Sequence, residues 1–227
     1  EKPTSSKDPF ALRRAAIGLL RIIIENKLTI KLRDLLNYSI RLYEEQGTVI
    51  KNKEAEKEIL TFLKERMRNI LKEKKIKSDI IDASISSHNG DNYLDLFNKN
   101  ILMNKYISKD VGKNAINSYK RASNIIDSVS KGIEGRPDAV LFRQEEEKAL
   151  FEKINEIRKA FTVKEDKKNY ENLLIQLSET KPFTDNFFDN VKVNDENNDI
   201  KNNRLELLKM HCNTFNNFIN FSKLEGL

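Results

Sequence analysis

The stretch Asp8–Glu25, DPFALRRAAIGLLRIIIE, sets the fold class. Asp8 is suited to accept hydrogen bonds from the open amides of a first helical turn, and Pro9 has the fixed φ of the first helical position. At 100° per residue, Arg14, Gly18, Arg21 and Glu25 share one narrow stripe. Phe10, Leu12, Ile17, Leu19, Leu20, Ile22, Ile23 and Ile24 fill most of the remaining circumference. The expectation is a mostly buried helix that needs neighbours on several sides, one of them chain preceding residue 1, as in a fragment of a longer protein.

The same 3.6-residue period recurs along the chain, with 7 glycines, 4 prolines and no tryptophan, and no strand pattern competes. The class is therefore all-α. Helices are expected over Lys31–Gln46, ended by Gly47, over Glu54–Lys75, Ser78–Ser86, Asp91–Asn104 and Lys109–Ser130, with a turn at His88, Asn89 and Gly90. Gly132, Gly135 and Pro137 mark a loop. A helix is expected from Asp138 to about Phe161 and a partner from Glu165 to Ser178, stopped before Pro182. Phe183–Asp199 reads as turn and loop, and a last helix runs from about Asp199 to Leu224 with Leu205, Leu208, Cys212, Phe215 and Ile219 on its apolar stripe, packed lengthwise on the helices from Lys109 onward.

A chain of 227 residues can bury a real core in one or two domains. One cysteine excludes an internal disulfide, and no apolar run reaches membrane-spanning length, so a reducing cytoplasm and no membrane partner are expected. The formal charge is +6, with a basic middle over residues 61–80 and an acidic segment over 171–200. Such asymmetry is either an electrostatic footprint for nucleic acid or the solvated face of lysine-rich helices.

Catalytic motifs are missing. His88 and His211 have no metal-ligand spacing, Cys212 lies on an apolar stripe, and neither GxxxxGK[ST] nor GxGxxG occurs. Carboxylates such as Asp79 with Asp82, or Glu145 to Glu147, sit on charged helices without an implied pocket. By elimination the chain reads as a binding or assembly module with no catalytic and no metal residues.

Five segments in order, SKDPFALRRAAIGLLRIIIE, DIIDASIS, YKRASNII, DNFFDNVKVNDENNDIKNNRLELL and FSKL, resemble the C-terminal third of the β subunit of the bacterial two-subunit glycyl-tRNA synthetase. The last segments are similar also to the DALR anticodon-binding domains of the arginyl-tRNA synthetase type. The resemblance implies that residues 1–106 are the end of a helical, HD-like central region and that 107–227 form a DALR-type anticodon-binding helical bundle. It implies glycine tRNA and the synthetase α subunit, in an α2β2 assembly, as partners. Aminoacylation would take place on the α subunit, with ATP and Mg there and no cofactor in this chain, in a bacterial cytoplasm. Arg13 and Arg14 belong to the first matching motif, as a polar edge or a contact to preceding chain. VKVN, with Lys192 and Asn194, departs from the apolar VMVM common in that family, which implies a less buried loop.

An unstacked anticodon is held by stacking, by hydrogen bonds to base edges and by cations on phosphates. Lys120, Arg121 and Asn124 lie within about one turn, and Asn203 with Arg204 open the last helix; these five are the expected tRNA-binding residues, with Asn124 and Arg204 alternatively bridging helices inside the bundle. A non-catalytic helical scaffold for protein assembly is the alternative function.

Overall fold

The computed structural model describes residues 7–8, 10–88, 91–129, 133, 135–162 and 169–225. The expectations for Pro9, the Asn89–Gly90 turn, Gly132 and a helix start at Glu165 lie outside the described residues. The chain divides into two units, Glu1–Ile101 and Leu102–Leu227. Among the described residues the regular structure is helical, with no strand; an isolated β-bridge pairs Lys31 with Asn92.

The first unit holds α1 (Leu12–Glu25), α2 (Leu32–Glu45), α3 (Ala55–Glu73), α4 (Ser78–Ser87) and the start of α5 (Tyr93–Tyr106). Asp8 does cap α1, from further back than the sequence suggested: its carboxylate accepts from Leu12 N at 2.8 Å and Arg13 N at 3.1 Å, across a left-handed Ala11 with φ 53°. Gly47, at φ 78°, ends α2 as expected, in a backbone region that suits glycine. α3 is the hub, packed by α1, α2 and α4, and its Leu60, Leu63, Met67, Ile70 and Leu71 are buried. Tyr93, fully buried, donates its hydroxyl to Leu60 O at 3.1 Å and ties α5 to α3.

α1 is not mostly buried. Ala16, Leu20 and Ile23 face the core, while Phe10, Leu12 and Ile22 are exposed, as is Arg14. On α2, Leu35, Tyr38 and Leu42, three and four residues apart, are likewise exposed. The apolar stripes are real, but the described residues of this unit do not cover them.

The second unit begins within α5 and continues through α6 (Asp110–Asp127), α7 (Glu145–Phe161), α8 (Tyr170–Ser178), α9 (Thr180–Asn190) and α10 (Asn198–Asn216), with 3-10 turns at Ala139–Leu141 and Phe221–Lys223. α10 packs on α6 and α7, α6 also on α8 and α9, and α7 on α8 and α9. Gly112 lets α6 start hard against the end of α5: a Cβ there would stand 2.3 Å from Tyr106 O and 2.6 Å from Ile107 Cα. The core includes Leu150, Ile154, Leu174, Leu177, Phe187, Leu208, Phe215 and Phe218, all at most 1% exposed.

Three expectations need correction here. Residues 183–190 are helix, not loop, because Glu179 breaks α8 from α9 and Pro182 falls in the first turn of α9, where a missing N–H costs nothing. Residues 138–144 form a 3-10 turn and an extended entry to α7, closed by a capping box between Gln144 and Glu147. The last helix ends at Asn216, and Asn220 caps the short turn that follows.

Candidate nucleic-acid interface

α6 and α9 are joined from the inside. Ser118 Oγ lies 2.8 Å from both Thr180 Oγ and Thr184 Oγ and 3.2 Å from His211 Nε2 of α10, all four residues at most 1% exposed. The threonine hydroxyls also reach backbone carbonyls, Leu177 O at 2.6 Å from Thr180 and Thr180 O at 3.0 Å from Thr184, so their protons are shared between those carbonyls and Ser118. The tautomer of His211 sets which way the Ser118–Nε2 bond runs, and Nδ1 is buried with no partner among the described residues. Burial lowers the His211 pKa to about 4, so the ring is neutral. Hydroxyl-to-hydroxyl contacts between fixed turns set the register of α6 against α9.

One turn outward from that clasp, the same register brings Arg121 of α6 to the exposed face of α9. Its Nη1 donates to Asp185 Oδ1 at 3.0 Å and its Nη2 to Asp189 Oδ1 at 2.9 Å. The guanidinium carbon stands 5.0 Å from the centroid of the Phe188 ring. Lys181 pairs with Asp185 from one turn back on α9. Burial would raise the Asp185 carboxyl, but the hydrogen bonds from Lys181 and Arg121 outweigh it and hold the group below its ordinary range. Desolvation opposes the Arg121 charge, and the bonds to Asp189 and Asp185 more than restore it. Asn124, exposed, lies three residues beyond Arg121 on α6, and the half-buried Lys120 precedes it.

Asn203 and Arg204 are placed differently. Asn203, 2% exposed, accepts from Asp138 N at 2.6 Å and donates to Asp138 O at 3.0 Å, pinning the entry to α7 onto α10. Arg204, 4% exposed, donates from Nε to Glu147 Oε1 at 2.8 Å and from Nη1 to Lys192 O at 3.0 Å and Asp195 Oδ2 at 2.7 Å. Glu147 in turn accepts from the backbone of Arg143 and Gln144 at 2.7 and 2.8 Å through Oε2. The carbonyl of Lys192 thus anchors the loop after α9, with the Lys192 side chain outward. Of the five residues expected from sequence, α6 gathers Lys120, Arg121 and Asn124 on one segment, whereas Asn203 and Arg204 point into the bundle. Phe188, Asp185 and Asp189 are missed by the sequence reading because Pro182 is taken there as a stop. Their signal was Asp at i and i+4 around an aromatic, once α9 is allowed.

Elsewhere chemistry is sparse. Burial pushes the Cys212 thiol up to about 12, as for a core residue, and burial followed by the nearby Lys64 charge lowers His88 to about 4. Among the described residues no group of three or more His, Cys, Asp or Glu could hold a metal ion, and no helix is long and apolar enough to cross a membrane.

Family comparison gives this geometry its frame. Residues 1–86 match the family model of the glycyl-tRNA synthetase beta subunit, and residues 115–225, all within the second unit, match the model of the DALR anticodon binding domain. The beta subunits of glycine–tRNA ligase from Rickettsia africae (strain ESF-5) and Rickettsia conorii (strain ATCC VR-613 / Malish 7) are each 39% identical over 224 residues, and that from Rickettsia canadensis (strain McKiel) is 39% identical over 230. The chain belongs to the glycyl-tRNA synthetase beta-subunit family. Each alignment takes in 99% of this chain and 32% of the relative, so the chain spans about a third of the length of these curated relatives. Within the family frame, the Arg121 fork lies on the DALR domain, on helices α6 and α9, and the Arg204 network is that domain's internal brace.

Proposed function

We propose that this chain is the tRNA-binding part of a glycine–tRNA ligase beta subunit, and that its second unit recognises the anticodon region of glycine tRNA. The observation that carries the reading is the coincidence of the DALR match with an exposed platform of guanidinium, carboxylates and aromatic ring on α6 and α9. Unstacked bases are held by planar groups and base-edge hydrogen bonds, and Lys120 and Asn124 flank the platform on α6 to hold phosphate and base edges. Asn203 and Arg204 serve binding through the shape of the bundle. Aminoacylation belongs to the α subunit, with ATP and Mg there, in an α2β2 enzyme of the bacterial cytoplasm; this chain alone activates no glycine. Ribonuclease footprinting of glycine tRNA by the purified chain tests the reading. Protection of the anticodon loop supports it, and protection confined to other arms of the tRNA overturns it. ATP–pyrophosphate exchange with glycine should stay at background.

A second role, protein assembly, is favoured by a specific feature of the first unit. Phe10, Ile22, Tyr38 and Tyr43 are each more than half exposed, and Val49 is 79% exposed. Apolar exposure on this scale suits a surface covered in the assembled enzyme.

A further inference from the structure

The Arg121 fork leaves both of its carboxylates partly open to solvent, Asp189 more than Arg121 itself. Arg121 commits Nη1 to Asp185 and Nη2 to Asp189, yet the Asp189 side chain stays 65% exposed and that of Asp185 33%. An ionised carboxylate has about four lone-pair sites, so a bond or two to neighbouring cations does not exhaust it. The i, i+4 spacing sets both acids on one face of α9, with Phe188 next to Asp189 in sequence and under the Arg121 plane. Acceptors beside an aromatic face fit a single-stranded base that stacks on the ring and offers an exocyclic amino group.

The genetic code supplies the bases. Glycine codons begin with two guanines, so the anticodon of every glycine tRNA carries two adjacent cytosines, each with an N4 amino donor on its pairing edge. Resting on the anticodon-reading role above, we propose that Asp185 and Asp189 determine specificity by accepting N4–H bonds from these two cytosines. Arg121 is their positioning residue and Phe188 the stacking surface. One helical turn separates the carboxylates by about 5.4 Å, wider than the ~3.4 Å rise of stacked bases, so the cytosines are splayed when read. Uracil places an O4 acceptor where cytosine has its amino group, and a carboxylate repels it. Discrimination therefore comes from repulsion as well as attraction.

The test is fluorescence-anisotropy binding of the 227-residue chain to glycine tRNA and to two versions in which one or the other cytosine is changed to uracil. The parent should prefer the all-cytosine anticodon by about ten-fold at each position, within the range of one base-edge contact. Asp185→Ala and Asp189→Ala should each bring the preference at one position close to unity and leave the other. Arg121→Lys, a point charge that cannot fork two carboxylates, should weaken both. If the two alanine variants keep the parent's thermal midpoint and both preferences, the assignment is wrong and anticodon reading rests on other residues. Equal loss against all three tRNAs also overturns it, as a non-specific charge effect. A parent indifferent to either cytosine removes this inference together with the proposed function.

Discussion

The two units solve the burial problem in opposite ways. In the second, described apolar side chains such as Phe187, Phe215 and Phe221 close on one another, and buried polar side chains form two networks: the Ser118, Thr180, Thr184, His211 clasp and the Arg204–Glu147 brace, which reaches the half-buried Asp195. In the first, α3 supplies a good inner face, but α1 and α2 leave Phe10, Ile22, Leu35, Tyr38 and Leu42 to solvent. An amphipathic helix records where a neighbour belongs, whether or not that neighbour is in the same unit. The second unit is specified by contacts within itself. The first has faces its own described helices do not cover.

The sharpest way to break this contrast is to cut the brace. Arg204→Ala leaves Glu147, 0% exposed, without its cationic partner, and should cost the second unit about 3–5 kcal/mol. Glycine tRNA binding would fall with it through loss of fold. Urea denaturation of parent and variant measures the cost; a loss below about 1 kcal/mol would mean that the network is not what closes the unit.

Acid should act next most strongly, through His211. Its folded value of about 4 lies below the ordinary 6.5, so the unfolded chain takes up the proton first as pH falls. Its contribution is complete above about pH 6.5, is lost between there and pH 4, and levels off below, a total of about 3 kcal/mol. His211→Leu should flatten the stability profile over that interval relative to the parent. Identical slopes would remove His211 as the sensitive group.

The smallest effect belongs to the first unit. Tyr38→Ser on the exposed stripe of α2 should change the stability of this chain by less than about 0.5 kcal/mol, as for a surface site. The same change made in a full-length beta subunit should reduce assembly with the α subunit, read by size-exclusion chromatography, if the stripe is an assembly surface. A large loss in the isolated chain would show instead that the stripe is already packed, and the contrast between the units would fail.

The helical class and most helix ends were legible in the sequence because periodicity and Gly47-type stops act locally. What was not legible depended on tertiary placement. The α1 pattern gives an apolar circumference but not which side finds a neighbour. Pro182 can stop one helix or begin the next, and only the packing of α9 on α6 and α7 decides. Arg121 and Arg204 look equivalent as cations in a helical run, yet one reaches an exposed fork and the other is 4% exposed between buried Glu147 and half-buried Asp195. The acids Asp185 and Asp189 became visible as a pair only once their segment was a helix.

The most direct measurement is the affinity of this chain for glycine tRNA against the same tRNA carrying a wholly exchanged anticodon, at one fixed salt concentration. A phosphate-only interaction is blind to the exchange, whereas base contacts each carry about 1–3 kcal/mol of discrimination. If the second unit reads the anticodon, the native tRNA binds at least about ten-fold more tightly, and Arg121→Ala narrows the gap without lowering the thermal midpoint. Equal affinity for the two tRNAs, from a folded and active preparation, would contradict anticodon recognition by this chain.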